Sequence, residues 1–374
     1  MTETRSGYAR GLDLAASNRQ LRVAVIGAGY WGPNLARNFT ASTDWELAGI
    51  VDLDQRRAAK LAAAQGGVPV FRSIDELLDM ADVDAVAIAT PAHTHHGIAL
   101  TALKAGKHVL VEKPLADSRT KGLEMVEEAE GRGLVLMADH TYCYTPAVLK
   151  IRELIADGSL GDILFIDSVR INLGLVQPDV DVFWDLAPHD LSILDFILPD
   201  GLRPVEVTAH GADPLGTGQA CVGHLTFALA NDAMAHVHVN WLSPTKIRQL
   251  VVGGSRRTLV WDDLNPQQRL SVYDRGVDLA LQSKSTADSL TSNISYRLGD
   301  TWAPALPEKE ALAGVVAEFA TSIRQGQEAR TGGASGLRVL SVLEAASASL
   351  RCSGAPSPIA DTSVIEPSFA GANR

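Results

Sequence analysis

Apolar and polar positions follow two different rhythms along the chain, and the change falls near residue 140. Before it, short unbroken apolar runs alternate with stretches whose apolar residues recur three or four apart. LRVAVIGAG is a continuous run, the pattern of a strand buried on both faces. YWGPNLARNFTAS behind it has helical spacing. WELAGIVD, PVFRS, VDAVAIAT, HVLVEK and LVLMADH read as further strands. DQRRAAKLAAAQG, SIDELLDM, HTHHGIALTALKAG and SRTKGLEMVEEAEGRG read as the helices between them, and Ser73 with Glu76 three residues on forms a helix-start signature. Strand–helix units joined by short links predict a doubly wound parallel sheet with right-handed crossovers over 21–140.

After 140 the rhythm shortens. HTYCYTPAVLKIRELIADGSLGDI reads as a loop and an amphipathic helix stopped at Gly158. ILFIDSVRINLG alternates like a half-buried strand, and VEVTAHGA, CVGHLTFAL, AMAHVHVNWL, IRQLVVGG and RTLVWDD repeat that signal with turns between. These predict mainly antiparallel strands. KEALAGVVAEFATSIRQG and GLRVLSVLEAASASL close the second unit as helices. The expected organisation is a flexible lead over 1–20, a first domain over 21–140, a second over 141–352, and a loosely ordered tail over 353–374.

Length and composition fit this division. The 374 residues suit two domains, and 46% apolar with 21% charged residues is ordinary for a globular chain. A formal charge of −11 with no basic stripe argues against nucleic acid or an anionic membrane surface as the main partner. No apolar run reaches the ~18 residues of a membrane helix, and the N-terminal residues lack a secretory h-region. Cys143, Cys221 and Cys352 form no CxxC pair or ligand cluster, so they are expected to be buried thiols in a reducing cytoplasm.

The candidate chemistry sits at strand ends. GAGYWG supplies Gly27, Gly29 and Gly32 as G-x-G-x-x-G between a strand and a helix, the dinucleotide-binding fingerprint of a Rossmann domain. Its first glycine permits the tight turn, its second lets a pyrophosphate approach the backbone, and its third lets helix and strand pack closely. Tyr30 and Trp31 lie inside that loop and join the cofactor-facing set. Asp52 ends the second strand about twenty residues on, where a carboxylate accepts bonds from both adenosine ribose hydroxyls and repels a 2′-phosphate. That favours NAD over NADP, although Arg56 and Arg57 lie close by, and capping the next helix is the other reading of Asp52. Thr90 and Pro91 end the fourth strand at the ligand-binding edge. His95 is a helix-start histidine near the cofactor. His95 and His96 are adjacent, and neighbours in a helix do not face each other, so no metal is expected there. Glu112 and Lys113 end the fifth strand at the same crevice, and Pro114 restricts Lys113 to an extended backbone that aims its ammonium. Beside a nicotinamide, such a group stabilises the substrate oxygen whose charge changes during hydride transfer.

GAGYWG, TPAHTH, AGKHVLVEKPL and WDLAPHD together resemble the Gfo/Idh/MocA oxidoreductases, across about residues 21–352. The resemblance implies a Rossmann domain followed by an α+β domain with a large, mostly antiparallel open sheet that supports homodimers or homotetramers. It makes Lys113 of EKP catalytic, His189 the general acid/base, and Asp185 a group that positions substrate or imidazole. Asp185 and His189 are four apart and share a face in a first helical turn, where Pro188 is tolerated. An imidazole that titrates near ~6.5 suits proton transfer from an alcohol. GYWGPNLARNF, DHTYCYTPAVLKIRELI, DSVRINLG and WDLAPHD look most like the nucleotide-sugar 3-dehydrogenase/3-ketoreductase branch, which makes Tyr144, Arg170 and Asn172 candidate substrate contacts. A surface ion pair is the other reading of Arg170. Oxidation of a free sugar or inositol, redox-neutral glycoside cleavage with recycled NAD, and a non-catalytic cofactor-binding regulator remain alternatives. His236 and His238 share one strand face, read as a polar sheet face or subunit interface.

Overall fold

In a computed structural model, residues 19–177, 180–280 and 293–360 are described. The first half forms a six-stranded sheet of β1 (Leu21–Ile26), β2 (Trp45–Val51), β3 (Val70–Phe71), β4 (Ala85–Ile88), β5 (His108–Glu112) and β6 (Leu136–Asp139). Its order is β3-β2-β1-β4-β5-β6, and every pairing is parallel. The order reverses between β1 and β4, so the crevice at their carboxyl ends is the switch point where such sheets bind ligands. The connecting helices are α1 (Gly32–Ala41), α2 (Gln55–Ala64), α3 (Ile74–Met80), α4 (Ala92–Lys104) and α5 (Arg119–Arg132). Every residue of β4 and β6 is buried, as their unbroken apolar runs require. Helix starts follow side-chain chemistry: the Asp54 carboxylate caps α2, Ser73 caps α3 and Ser118 caps α5.

A 3-10 turn (Thr141–Tyr144) and α6 (Pro146–Ala156) lead into the second sheet. It contains β7 (Ile163–Leu173), β8 (Glu206–Ala212), β9 (Val222–Ala228), β10 (Met234–Asn240), β11 (Leu242–Gly254), β12 (Thr258–Asp262), β13 (Leu270–Ala280), β14 (Asn293–Trp302) and β15 (Ser357–Pro358). The nine strands run in the order β14-β13-β12-β11-β7-β10-β9-β8-β15. β7 and β10 pair in parallel; the other pairings are antiparallel. Helix α7 (Val182–Ile197) packs on one face of this sheet and faces the first domain.

The chain then returns. Helices α8 (Ala311–Gln325) and α9 (Gly333–Arg351) close the core of the first domain as well as the second. Trp45 stacks on Phe319 of α8 at 5.3 Å and meets Phe39 edge-on at 5.2 Å, while its indole N–H donates to the Val316 carbonyl at 2.9 Å. Arg37–Glu310 and Arg324–Asp44 ion pairs fasten the rim of that contact.

The structure departs from expectation in two places. Ser357 and Pro358 add a strand to β8, so order continues past 352 because backbone pairing holds the segment. Residues 1–18 and 361–374, most of the expected lead and tail, lie outside the described residues. Cys143 and Cys221 are buried, but Cys352 is exposed because it falls at the end of α9. His238 pairs in register with His224 and stacks on it at 4.2 Å, and His210 is the next partner across the sheet. His236 instead bonds Thr226. Among the described residues no group of His, Cys, Asp and Glu has the geometry of a metal site, and no helix is long and apolar enough to cross a membrane.

Candidate active site

The glycine loop is built from positions where a side chain cannot fit. Gly27 follows β1 with φ of +102°, and a Cβ there would lie 2.6 Å from the Ala89 carbonyl oxygen. A Cβ on Gly32 would lie 1.9 Å from the Gly27 oxygen, so α1 can approach β1 this closely only with glycine. Gly29 has nothing within 4 Å of such a Cβ: its outer face is open. The start of α1 has no side-chain cap. An open glycine ahead of an uncapped helix start is a cradle that fits a dinucleotide pyrophosphate. Asp52 at the end of β2 braces the loop, accepting from Ala28 N at 2.7 Å through Oδ2 and from Asp54 N at 2.8 Å through Oδ1. Helix capping falls to Asp54, not Asp52. Tyr30 is 94% exposed, while Trp31 donates its indole N–H to Asp139 Oδ2 at 2.8 Å.

Thr90 and Pro91 stand at the end of β4, next to Ala89, which closes over Gly27. His95 is buried. Its Nδ1 lies 2.9 Å from the Pro114 carbonyl and its Nε2 2.8 Å from the Thr90 carbonyl, and burial lowers its pKa. Both nitrogens are thus occupied by backbone, so His95 is a strut between the β4 end and the EKP turn; it acts behind the crevice. His96 faces the other way, onto Glu124 of α5 at 2.7 Å.

The EKP turn and α7 meet. The Lys113 ammonium donates to the Asp185 carbonyl at 2.8 Å and lies 3.2 Å from its carboxylate Oδ1. Trp241, just past β10, donates its indole N–H to Asp185 Oδ2 at 3.0 Å. One carboxylate therefore joins both domains and holds the lysine at the sheet edge. His189 is one turn further along α7 on the same face. Pro188 sits deeper in α7 than a first turn; lacking an N–H, it leaves the Trp184 carbonyl without its helical donor. The Lys113–Pro114 peptide is cis.

His189 Nδ1 is buried with no hydrogen-bond partner among the described residues. Desolvation, then the charges of Lys113 and Arg170, push its pKa well below the ordinary imidazole value. The ring is therefore neutral at physiological pH and a weaker base than the ordinary imidazole expected from the sequence. Tyr142 meets it edge-on at 5.2 Å, and the Arg170 guanidinium lies 4.5 Å over the Tyr142 ring.

Two candidate substrate contacts are buried. Arg170 is 3% exposed and paired to Asp190 at 2.7 and 3.0 Å, so its fork is used internally and is not presented to a diphosphate. Tyr144 is buried, with its hydroxyl 3.1 Å from Thr331 Oγ and its ring under Arg330, because the 3-10 turn rotates it into the core beneath α8. Asn172, two residues beyond Arg170 on β7, remains half-buried. A cleft of about 660 Å³ opens beside Pro114 and Trp184, chain neighbours of Lys113 and Asp185, and also involves Asp117, Arg119 and Arg351.

Sequence reasoning missed Tyr142, Trp241, Asp139 and His140. His140 is 1% exposed with both ring nitrogens unpartnered among the described residues, and burial pulls its pKa down to about 4. Its position directly after a strand end, like that of Lys113, was the available signal.

Comparison with known proteins shows the family. Residues 21–140 match the description "Oxidoreductase family, NAD-binding Rossmann fold", and residues 148–260 match "GFO/IDH/MocA C-terminal domain". The chain belongs to the Gfo/Idh/MocA oxidoreductase family. It is 30% identical over 323 residues to UDP-N-acetylglucosamine 3-dehydrogenase of Acidithiobacillus ferrooxidans, covering 86% of this chain and 94% of that protein. It is 33% identical over 194 residues to inositol 2-dehydrogenase 2 of Saccharopolyspora erythraea, covering 51% and 57%. The solved structure of GenD2 from gentamicin A biosynthesis, in complex with NAD, superposes with a TM-score of 0.75 at 25% identity, covering 92% of this chain and 97% of that one.

Proposed function

We propose that this oxidoreductase transfers hydride between NAD and a ring carbon, C3, of a nucleotide sugar. The observation that carries the reading is the convergence of Lys113, Asp185 and His189 at the carboxyl edge of the parallel sheet that also bears the glycine loop. Similarity to a UDP-N-acetylglucosamine 3-dehydrogenase over most of both chains supports the substrate class. Asp52, a carboxylate directly after β2 that also braces the glycine loop, supports NAD over NADP.

When bound, the nicotinamide supplies the hydride acceptor for alcohol oxidation, or the donor in reverse. Gly27, Gly29 and Gly32 shape the pyrophosphate cradle, and Asp52 braces it. Neutral His189 takes the hydroxyl proton during oxidation. The Lys113 ammonium, steered by Asp185, faces the same oxygen and stabilises its developing charge. Tyr142 and the buried Arg170–Asp190 pair fix the imidazole.

The assay mixes the purified protein and NAD with a panel of UDP- and TDP-hexoses and follows NADH absorbance. Nucleotide-sugar-dependent NADH formation is the expected result. Lys113→Ala and His189→Ala should each lose turnover by roughly 10²-fold or more while still binding NAD; wild-type turnover in both removes the assignment. A second reading, oxidation of a free inositol, is favoured by similarity to inositol 2-dehydrogenases, and appears as NADH formation with inositol and none with nucleotide sugars.

A further inference from the structure

The roles above employ Lys113 but leave the carboxyl group beside it unused. Glu112 ends β5 directly opposite Asp139, the last residue of β6. Side chains opposite each other on neighbouring strands share one face, and Asp139 is 1% exposed. The register therefore brings the two carboxyl groups within reach of each other. A bond between them needs a proton, because two carboxylates both accept and neither donates.

The surroundings decide which residue holds the proton. Asp139 already receives two donors: Trp31 N–H on Oδ2 at 2.8 Å and the Thr141 hydroxyl on Oδ1 at 2.7 Å. Both favour its anion. Glu112 faces Asp139 across the sheet, and Lys113 follows it directly in the chain; the Lys113 charge and backbone N–H favour the Glu112 anion, but burial and Asp139 oppose it more strongly. The Lys113 ammonium is already committed to the Asp185 carbonyl and carboxylate.

We propose that Glu112 and Asp139 share a single proton, with neutral Glu112 donating to ionised Asp139, and that this pair clamps Trp31 of the glycine loop against the end of β6. Desolvation, then Asp139, holds the Glu112 carboxyl well above the usual range, in agreement with the geometry. The inference rests on reading the loop as the NAD cradle. Within that reading Asp139 is a positioning residue: it touches Trp31, and Trp31 lies between Gly29 and Gly32. The pair carries one negative charge, so Lys113 has no second carboxylate beside it and stays with Asp185.

Two measurements on the full-length protein test this. Infrared difference spectra at neutral pH should contain the C=O stretch of a protonated carboxylic acid, absent in Glu112→Gln, with its midpoint moved to lower pH in Asp139→Asn. NADH titration followed by fluorescence should show a smaller loss of affinity for Asp139→Asn, whose amide oxygen still accepts from Trp31, than for Asp139→Leu. Asp139→Leu and Trp31→Phe should each weaken binding roughly tenfold, with no further loss in the double variant. A wild-type infrared band in Glu112→Gln, or additive losses in the double variant, overturns the proposal. A wild-type protein that binds no NADH instead removes the functional reading, while the infrared comparison still decides the carboxyl pair.

Discussion

Replacing Asp190 with leucine takes away the partner of a buried cation. The pair is well formed: Arg170 Nε and Nη2 reach Asp190 at 2.7 and 3.0 Å, Ser168 Oγ adds a third bond at 2.8 Å, and each charged side chain is 4% exposed. Removing one partner of such a pair costs about 3–5 kcal/mol, mostly from leaving the other charge desolvated and unpaired. The double variant Arg170→Met/Asp190→Leu removes both charges and keeps similar volume, so most of that loss should return. Urea denaturation with a shared m-value is the assay. Catalysis gives a second readout, because an unpaired Arg170 cation over Tyr142 depresses the His189 pKa further. A loss below about 1 kcal/mol for Asp190→Leu, or a double variant less stable than the single, refutes the argument.

The glycine loop separates folding from binding: Gly29→Ala meets no atom within 4 Å and should leave the urea midpoint unchanged, while NADH affinity falls at least roughly tenfold. Gly32→Ala, with its Cβ 1.9 Å from the Gly27 oxygen, should lower both. His140 makes stability depend on pH. Unfolded, its imidazole takes up a proton as pH falls through ~6.5; folded, it resists until about 4. Stability is therefore lost as pH falls across that window, by roughly 3 kcal/mol at the limit. His140→Gln should flatten the slope of urea stability against pH there, and an unchanged slope rules the role out.

Much of this was legible because the signals are local. Unbroken apolar runs marked β1, β4 and β5, since strands covered on both faces have no polar positions to alternate with. The glycines and Lys113 stand out in the sequence because special backbone positions leave residue-type signatures. What stayed hidden depends on register between distant segments. Nothing near Trp31 points to Asp139, and nothing near Asp185 points to Trp241; sheet order makes both pairs. Arg170 looked available to ligand because alternation gives the face but not the occupant of that face, and Asp190 arrives from α7. Tyr144 was misplaced by one turn of 3-10 helix, which re-aims side chains that a loop reading leaves outward.

The stacking of Trp45 against Phe319 has a consequence during synthesis. When the ribosome has emitted the whole parallel sheet, the helix that covers this indole is still untranslated. At roughly 5–20 residues per second, the nascent first domain waits on the order of ten seconds or more with an aromatic flank uncovered. That interval is a window for chaperone capture, and a premature stop anywhere before α8 leaves a Rossmann half that holds its fingerprint but not its seal.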